Sequence, residues 1–129
     1  MIFVDTNYFL RFLLNDNSDQ RAESVKLFDL GAQNKLKLLT STLVIFEIYW
    51  VLSSFYQKNK SKLCPLLQDI LKLEFITLGE RAILSDSITI FKNSNLSFED
   101  CYNLCYAREN KVTDFKTFDK ILLNKFHSR

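Results

Sequence analysis

The chain opens on an apolar run that ends abruptly in polar residues: Met1-Ile2-Phe3-Val4, then Asp5-Thr6-Asn7. A short apolar run rich in β-branched and aromatic residues predicts a buried strand. The same change of texture recurs along the chain. Residues 8–14 predict a short, almost wholly apolar helix, closed by the polar cluster Asn15-Asp16-Asn17-Ser18. Ser18 or Asp19 then caps a second helix, with Ala22, Val25, Leu27, Phe28 and Leu30 at helical spacing and Gly31 as its stop. Residues 36–40 predict a second strand. Residues 43–56 predict a helix apolar nearly all round, with Val44, Ile48, Val51, Leu52 and Phe55 on one stripe and Ile45, Tyr49 and Tyr56 widening it. A helix of that kind is central or shared with a partner.

The basic run Lys58-Asn59-Lys60-Ser61-Lys62 reads as a solvated loop or a helix start. A helix over 66–73 follows, with Pro65 tolerated in its first turn. Residues 74–78 alternate well enough for a third strand. Gly79-Glu80 starts a helix carrying Ile83, Leu84, Ile88 and Phe91 on one side, and 93–96 form a turn. Ser97-Phe98-Glu99-Asp100 opens the next helix, which runs to about Glu109. Residues 112–115 predict a last short strand and 118–126 a closing helix. Strands alternating with helices predict an α/β fold, a mostly parallel central sheet flanked by helices on both faces. No internal repeat or linker interrupts the pattern, so 1–129 read as a single domain.

Composition narrows the class. With 47% hydrophobic residues, 12 Phe, 2 Gly and 1 Pro, the chain is neither disordered nor fibrous. No apolar run reaches the ~18 residues needed to span a bilayer, and the opening segment lacks the basic start and cleavage site of a signal peptide. A cytoplasmic protein with no membrane association is expected. Cys64, Cys101 and Cys105 are an odd count without CxxC spacing, and His127 is the only histidine. A zinc site needs four such ligands at recognisable spacing, so reduced core cysteines are expected instead. The net charge of +2 permits nucleic-acid binding without arguing for it.

Four carboxylates stand where an apolar chain has little reason to put them. Asp5 ends the first strand, where an open α/β sheet places its ligands; it would equally serve as an N-cap. Glu47 interrupts the most apolar helix, in Val44-Ile45-Phe46-Glu47-Ile48-Tyr49-Trp50. An ionised carboxylate there is costly unless paired or bound to a cation. Asp100 lies in a first turn, where an acid also suits the helix dipole and Ser97-x-x-Asp100 resembles a capping box. Asp119 follows the last strand in Thr117-Phe118-Asp119-Lys120, with Asp114 as a competitor for the same role. Strand ends and helix starts can bring Asp5, Glu47, Asp100 and Asp119 to one crevice. Clustered carboxylates repel, and keeping them ionised together calls for a cation. Oxygen-only ligands select Mg²⁺ or Mn²⁺. Such a site suits hydrolytic phosphoryl transfer by metal-activated water.

Val4-Asp5-Thr6-Asn7, Phe46-Glu47-Ile48, Asp100 at its helix start and Thr117-Phe118-Asp119 together resemble the PIN-domain ribonucleases, specifically the VapC-type toxins of toxin–antitoxin pairs. The likeness covers the whole chain in order, the Asp-Thr-Asn opening and Thr-x-Asp ending being its most specific pieces. It implies a PIN-like three-layer α/β/α fold and a Mg²⁺-dependent endoribonuclease cutting structured RNA such as tRNA or rRNA. It also implies a homodimer inhibited by a cognate antitoxin. By that resemblance Asp5, Glu47, Asp100 and Asp119 hold the metal, and Asn7 and Thr117 orient carboxylates or the attacking water. Arg11 and Lys120 are placed to meet phosphate. The chain departs from the family at Cys101-Tyr102-Asn103-Leu104-Cys105, where small apolar residues are usual, and at Asn110, where a glycine usually ends the helix.

An aspartyl-phosphate phosphatase would need a second Asp where this chain has Asn7, and a phosphorelay receiver an acidic pair where Asp5 stands alone. The remaining rival is a catalytically silent PIN-like module that binds RNA or a partner protein. A scaffold has no use for four intact acids, which favours the enzyme.

Overall fold

A computed structural model describes residues 1–128. The chain divides into two compact units, Met1–Glu80 and Arg81–Arg129. The first contains β1 (Ile2–Phe3), α1 (Thr6–Leu13), α2 (Ser18–Ala32), β2 (Leu38–Leu39) and α3 (Thr42–Trp50). A π-helical turn (Val51–Phe55), α4 (Lys60–Leu71) and β3 (Ile76–Thr77) complete it. The second contains α5 (Arg81–Lys92), α6 (Phe98–Glu109) and α7 (Lys120–Ser128).

The first unit bears out the α/β class. Its strands lie in the order β1-β2-β3, both pairings parallel, with Ile2 opposite Leu38 and Leu38 opposite Ile76. Parallel neighbours need long crossovers, and α1–α2 and α3–α4 supply them. Leu38, at the centre, is completely buried. β1 departs from the expected buried strand: it pairs on one side only, and Ile2 and Phe3 stay exposed while Val4 just beyond is buried. Under the sheet Phe28 gathers Phe9, Phe12 and Phe75, with ring centroids 4.9–6.3 Å apart.

Three local expectations change for physical reasons. Gly31 does not stop α2, which continues to Ala32; the left-handed residue beyond it is Asn34, at φ 60°. A β-carbon on Gly31 would lie 2.7 Å from Leu38 Cδ1 and 3.0 Å from Phe75 Cδ2, so this glycine permits close approach. α4 starts at Lys60, under an Asn59 cap that accepts from the Lys62 amide, which places Pro65 deeper than the first turn. The long apolar helix does not run straight to Tyr56. After Trp50 it widens into the π turn, which takes an extra residue per turn. Leu52 is therefore fully buried, whereas Phe55, expected on the buried stripe, is 77% exposed.

In the second unit α5 and α6 pack through Leu84, Ile88, Phe91, Phe98, Cys101 and Leu104, with Phe91 and Phe98 rings 5.6 Å apart. α7 joins them through Phe126, edge-on to Phe115 at 5.3 Å. The strand expected over 112–115 does not form. The Asp114 carboxylate accepts from the Phe115 amide at 2.8 Å, a local bond that competes with a sheet ladder. Asp119 consequently follows a loop and not a strand. Cys64, Cys101 and Cys105 are buried and in no disulfide, as expected of core thiols.

Candidate active site

Asp5 is the N-cap of α1: its backbone is extended (φ −91°, ψ 172°) and its Oδ1 accepts from the Thr6 amide at 2.7 Å. The capping reading is therefore real, and it does not exhaust the residue. Thr6, one position on, is buried, and its hydroxyl donates to Glu47 Oε2 at 2.6 Å while standing 3.4 Å from Asp5 Oδ1. A hydroxyl has one proton, so the short contact is the bond, and its length is that of a charge-assisted O–H···O⁻. Both carboxylates thus face a single hydroxyl.

Glu47 reaches that place because α1 packs against α3. It is half-buried between the buried Phe46 and Ile48, and Thr6 gives it a donor there. That is how the first unit tolerates an acid in its most apolar helix: a buried charge is kept when it is hydrogen-bonded. α3 itself is started by Ser41, whose Oγ accepts from the Val44 amide at 3.3 Å, and anchored by Thr42, whose hydroxyl donates to Glu80 at 2.6 Å.

Asn7 is exposed beside this pair. With Tyr8, Arg11, Gln20, Glu23 and Ser24 it lines a small polar cavity of about 160 Å³ between α1 and α2. The Glu23 carboxylate raises the Tyr8 phenol above its ordinary value. Arg11, expected to meet phosphate, is committed within the chain. Its Nη1 lies 2.7 Å from Asp16, whose other oxygen accepts from the Tyr56 hydroxyl at 2.8 Å. Those two donors hold the Asp16 carboxyl below the usual carboxylate range.

The second unit carries the other two acids. Asp100 lies in the first turn of α6, half-buried, with its amide donating to Ser97 Oγ at 3.1 Å, as the capping pattern predicts. Asp119 caps α7, its Oδ1 accepting from the amides of Ile121 (2.9 Å) and Leu122 (3.1 Å). Thr117 sets up that cap by accepting from the Asp119 amide at 3.1 Å. Asp114, the competitor, pairs with Lys116 at 2.8 Å, which holds its carboxyl low. Lys120, the first residue of α7, is exposed.

Two of the four acids therefore belong to each unit. Among the described residues no group of three or more His, Cys, Asp or Glu side chains is arranged to hold a metal ion. What the first unit supplies is a pair of carboxylates and a hydroxyl, all hard oxygen donors of the kind that suit Mg²⁺. Sequence reasoning named Thr6 only as part of a motif and missed its bridging role. The available signal was a hydroxyl one residue after a strand-ending acid, in a helix whose neighbour carries an unexplained acid.

Among the described residues no helix is long and apolar enough to cross a membrane. No curated protein matches the chain. A family model, that of the PIN domain, matches residues 2–126. The match takes in both units and all four acids, and the chain belongs to the PIN-domain family, whose fold generally carries nucleases.

Proposed function

We propose that the chain is a Mg²⁺-dependent endoribonuclease, with Mn²⁺ as a substitute, and the toxin of a type II toxin–antitoxin pair of the VapC type. The observation that carries the reading is the Thr6 hydroxyl set between Asp5 and Glu47. The bond to Glu47 holds that carboxylate on the same hydroxyl that Asp5 approaches, and two like charges so placed favour a divalent cation between them. In this reading Asp5, Glu47, Asp100 and Asp119 hold the cation, while Asn7 and Thr117 orient carboxylates or the attacking water. The bound cation supplies a polarised phosphate oxygen and a water acidified toward neutral pH.

The chain's own residues prepare that chemistry. Thr6 fixes the Glu47 rotamer; the amide of Thr6 fixes that of Asp5. Ile121 and Leu122 amides hold one oxygen of Asp119, so its carboxylate is oriented before any ligand arrives. The substrate is structured RNA, tRNA or rRNA, and the assembly a cytoplasmic homodimer regulated by an antitoxin protein. The exposed Leu43 and Trp50, seven positions apart on α3, support a protein-contact face. A monomeric mass in solution would remove the dimer.

The test is cleavage of a tRNA and rRNA mixture by protein freed of antitoxin, wild type beside Asp5→Asn, with Mg²⁺ or EDTA. Discrete fragments from wild type alone, abolished by EDTA, are expected. Mg²⁺ should also raise the melting temperature of wild type and not of Asp5→Asn, by mass action on the folded state. Equal shifts in both proteins, with no cleavage by either, would leave the silent module.

A further inference from the structure

The second unit is polarised along its helices. α6 and α7 each carry a carboxylate at their start, Asp100 and Asp119, and basic residues in their last turn, Arg108 beside Glu109 on one and Lys125 with His127 on the other. From Asp100 to Arg108 the helix rises ~12 Å. At the basic end lies a cleft of about 450 Å³ lined by Arg108, Lys111, Val112, Thr113, Phe126 and His127. Three of these side chains are cationic or become so on protonation, one is a hydroxyl, and none is acidic. We infer that this cleft is a phosphate-binding subsite for the RNA backbone, remote from the carboxylate ends of the same helices. The inference rests on the nuclease reading only in taking RNA as the ligand.

Basic residues at a helix C-terminus commonly do no more than satisfy the last carbonyls. Here the carbonyls of Tyr106, Ala107 and Arg108 at the end of α6 are already satisfied. The Tyr106 carbonyl accepts from the backbone amide of Asn110 at 3.1 Å and from its side chain at 2.9 Å. The Val112 amide donates to Ala107 at 3.2 Å and the Lys111 amide to Arg108 at 3.0 Å. At the end of α7, Lys125 O accepts from Arg108 Nη2 at 2.9 Å and from Ser128 Oγ at 3.0 Å. The Lys111 ammonium is therefore not recruited as a cap, and Arg108 is pinned by one nitrogen. Its Nε is buried with no hydrogen-bond partner, a donor still lacking an acceptor.

Lys111 adds a second, independent observation. It adopts φ 56°, the left-handed conformation that a β-carbon disfavours, although Asn110 beside it is of the type that takes it more readily. The loop thus accepts a lysine at a position better suited to Gly or Asn, and that lysine faces the cleft. Asp114, paired with Lys116 at 2.8 Å, also interacts electrostatically with His127, so the positive charge of the cleft rests on Arg108 and Lys111. Glu109 lines the neighbouring cleft with Arg108 and Asp86. Thr113 and the His127 ring, stacked on Phe126, complete a wall of donors suited to a phosphodiester.

The test uses the full chain in EDTA, where no cleavage complicates binding. A labelled single-stranded RNA is titrated over a range of salt with wild type, Lys111→Asn and Lys111→Arg. Asn favours the left-handed conformation, so loss of binding in Lys111→Asn would not be loss of fold. The slope of log Kobs against log salt should shrink by about 0.7, the single-strand value for one phosphate contact. The loss should be similar for unrelated RNA sequences, and Lys111→Arg should retain the wild-type slope. Wild-type slope and affinity in Lys111→Asn would overturn the inference, as would a wild type that binds no RNA. A second arm follows the His127 ring signals with inorganic phosphate. A response there, with an RNA slope indifferent to Lys111, would make the cleft a small-anion site and equally overturn it. A slope change in a protein that cuts no RNA with Mg²⁺ would sink the nuclease reading and leave the subsite standing.

Discussion

Replacing Thr6 with valine keeps the shape of the side chain and removes one hydroxyl, the one that donates to Glu47 at 2.6 Å. A hydrogen bond to a charged group contributes about 1.5–3 kcal/mol, and stranding a buried partner costs about as much. Glu47 is only half-buried, and water can replace part of what the hydroxyl gave. A loss of ~1–2 kcal/mol is therefore expected. At an m-value of about 1–3 kcal/mol/M this lowers the urea midpoint by roughly 0.3–2 M. The interaction itself is isolated by a double-mutant cycle. In a Glu47→Ala background Thr6→Val should cost only a few tenths of a kcal/mol, leaving a coupling of ~1 kcal/mol or more. Thr6→Ser should recover most of the stability, since it restores the donor. If Thr6→Val costs the same in both backgrounds, the hydroxyl does not hold Glu47, and the pre-positioned carboxylate pair goes with it.

Gly31→Ala should destabilise by ~1–2 kcal/mol despite alanine's better helix propensity, because overpacking against Leu38 and Phe75 outweighs a gain of at most about 1 kcal/mol; a stabilised variant in urea melts would mean that Leu38 yields. Asp16 has its carboxyl held low by Arg11 and Tyr56, so its contribution is present above the unfolded value near ~4 and fades as pH falls through the lowered one. The stability gap between wild type and Asp16→Asn should stay constant from about pH 7 to 5 and close below about 4. A gap that persists unchanged into stronger acid would rule out the ionised pair as its source. At Asp119, asparagine keeps the α7 cap and alanine removes it at a cost of ~1 kcal/mol. Asp119→Asn should therefore melt like wild type yet lose Mg²⁺-dependent stabilisation and cleavage, whereas full cleavage by it would reduce Asp119 to a cap.

The features readable in advance are those carried by periodicity and by single residues out of character. Helical and strand spacing predicted the parallel sheet, and Ser97-x-x-Asp100 marked the start of α6 correctly. Glu47 was conspicuous because no apolar helix accepts a carboxylate without a partner; the identity of the partner was not, since Thr6 is 41 positions away and only packing joins them. The strand expected over 112–115 failed because its pattern says nothing of the Asp114 side chain, which takes the Phe115 amide for itself. Gly31 has the composition of a helix stop and the function of a spacer, a difference set by Leu38 and Phe75 and invisible in local sequence. Asn110 was the residue expected to end α6 in glycine's place, yet the left-handed turn falls on Lys111. The expected metal residues divide between the two units, Asp5 and Glu47 in one, Asp100 and Asp119 in the other.

The π turn after α3 has a consequence for which changes the chain can tolerate. The turn from Val51 to Phe55 holds one residue more than an α-helical turn would. Deleting one residue there would restore α-helical spacing and rotate everything beyond it by ~100°. Phe55 would swing from solvent toward the interior, and Tyr56 would leave Asp16, which it now holds at 2.8 Å. Substitutions at these five positions alter side chains one at a time; a change in their number re-addresses the whole segment. In this stretch the length of the chain is the conserved quantity to look for, ahead of the identity of any residue in it.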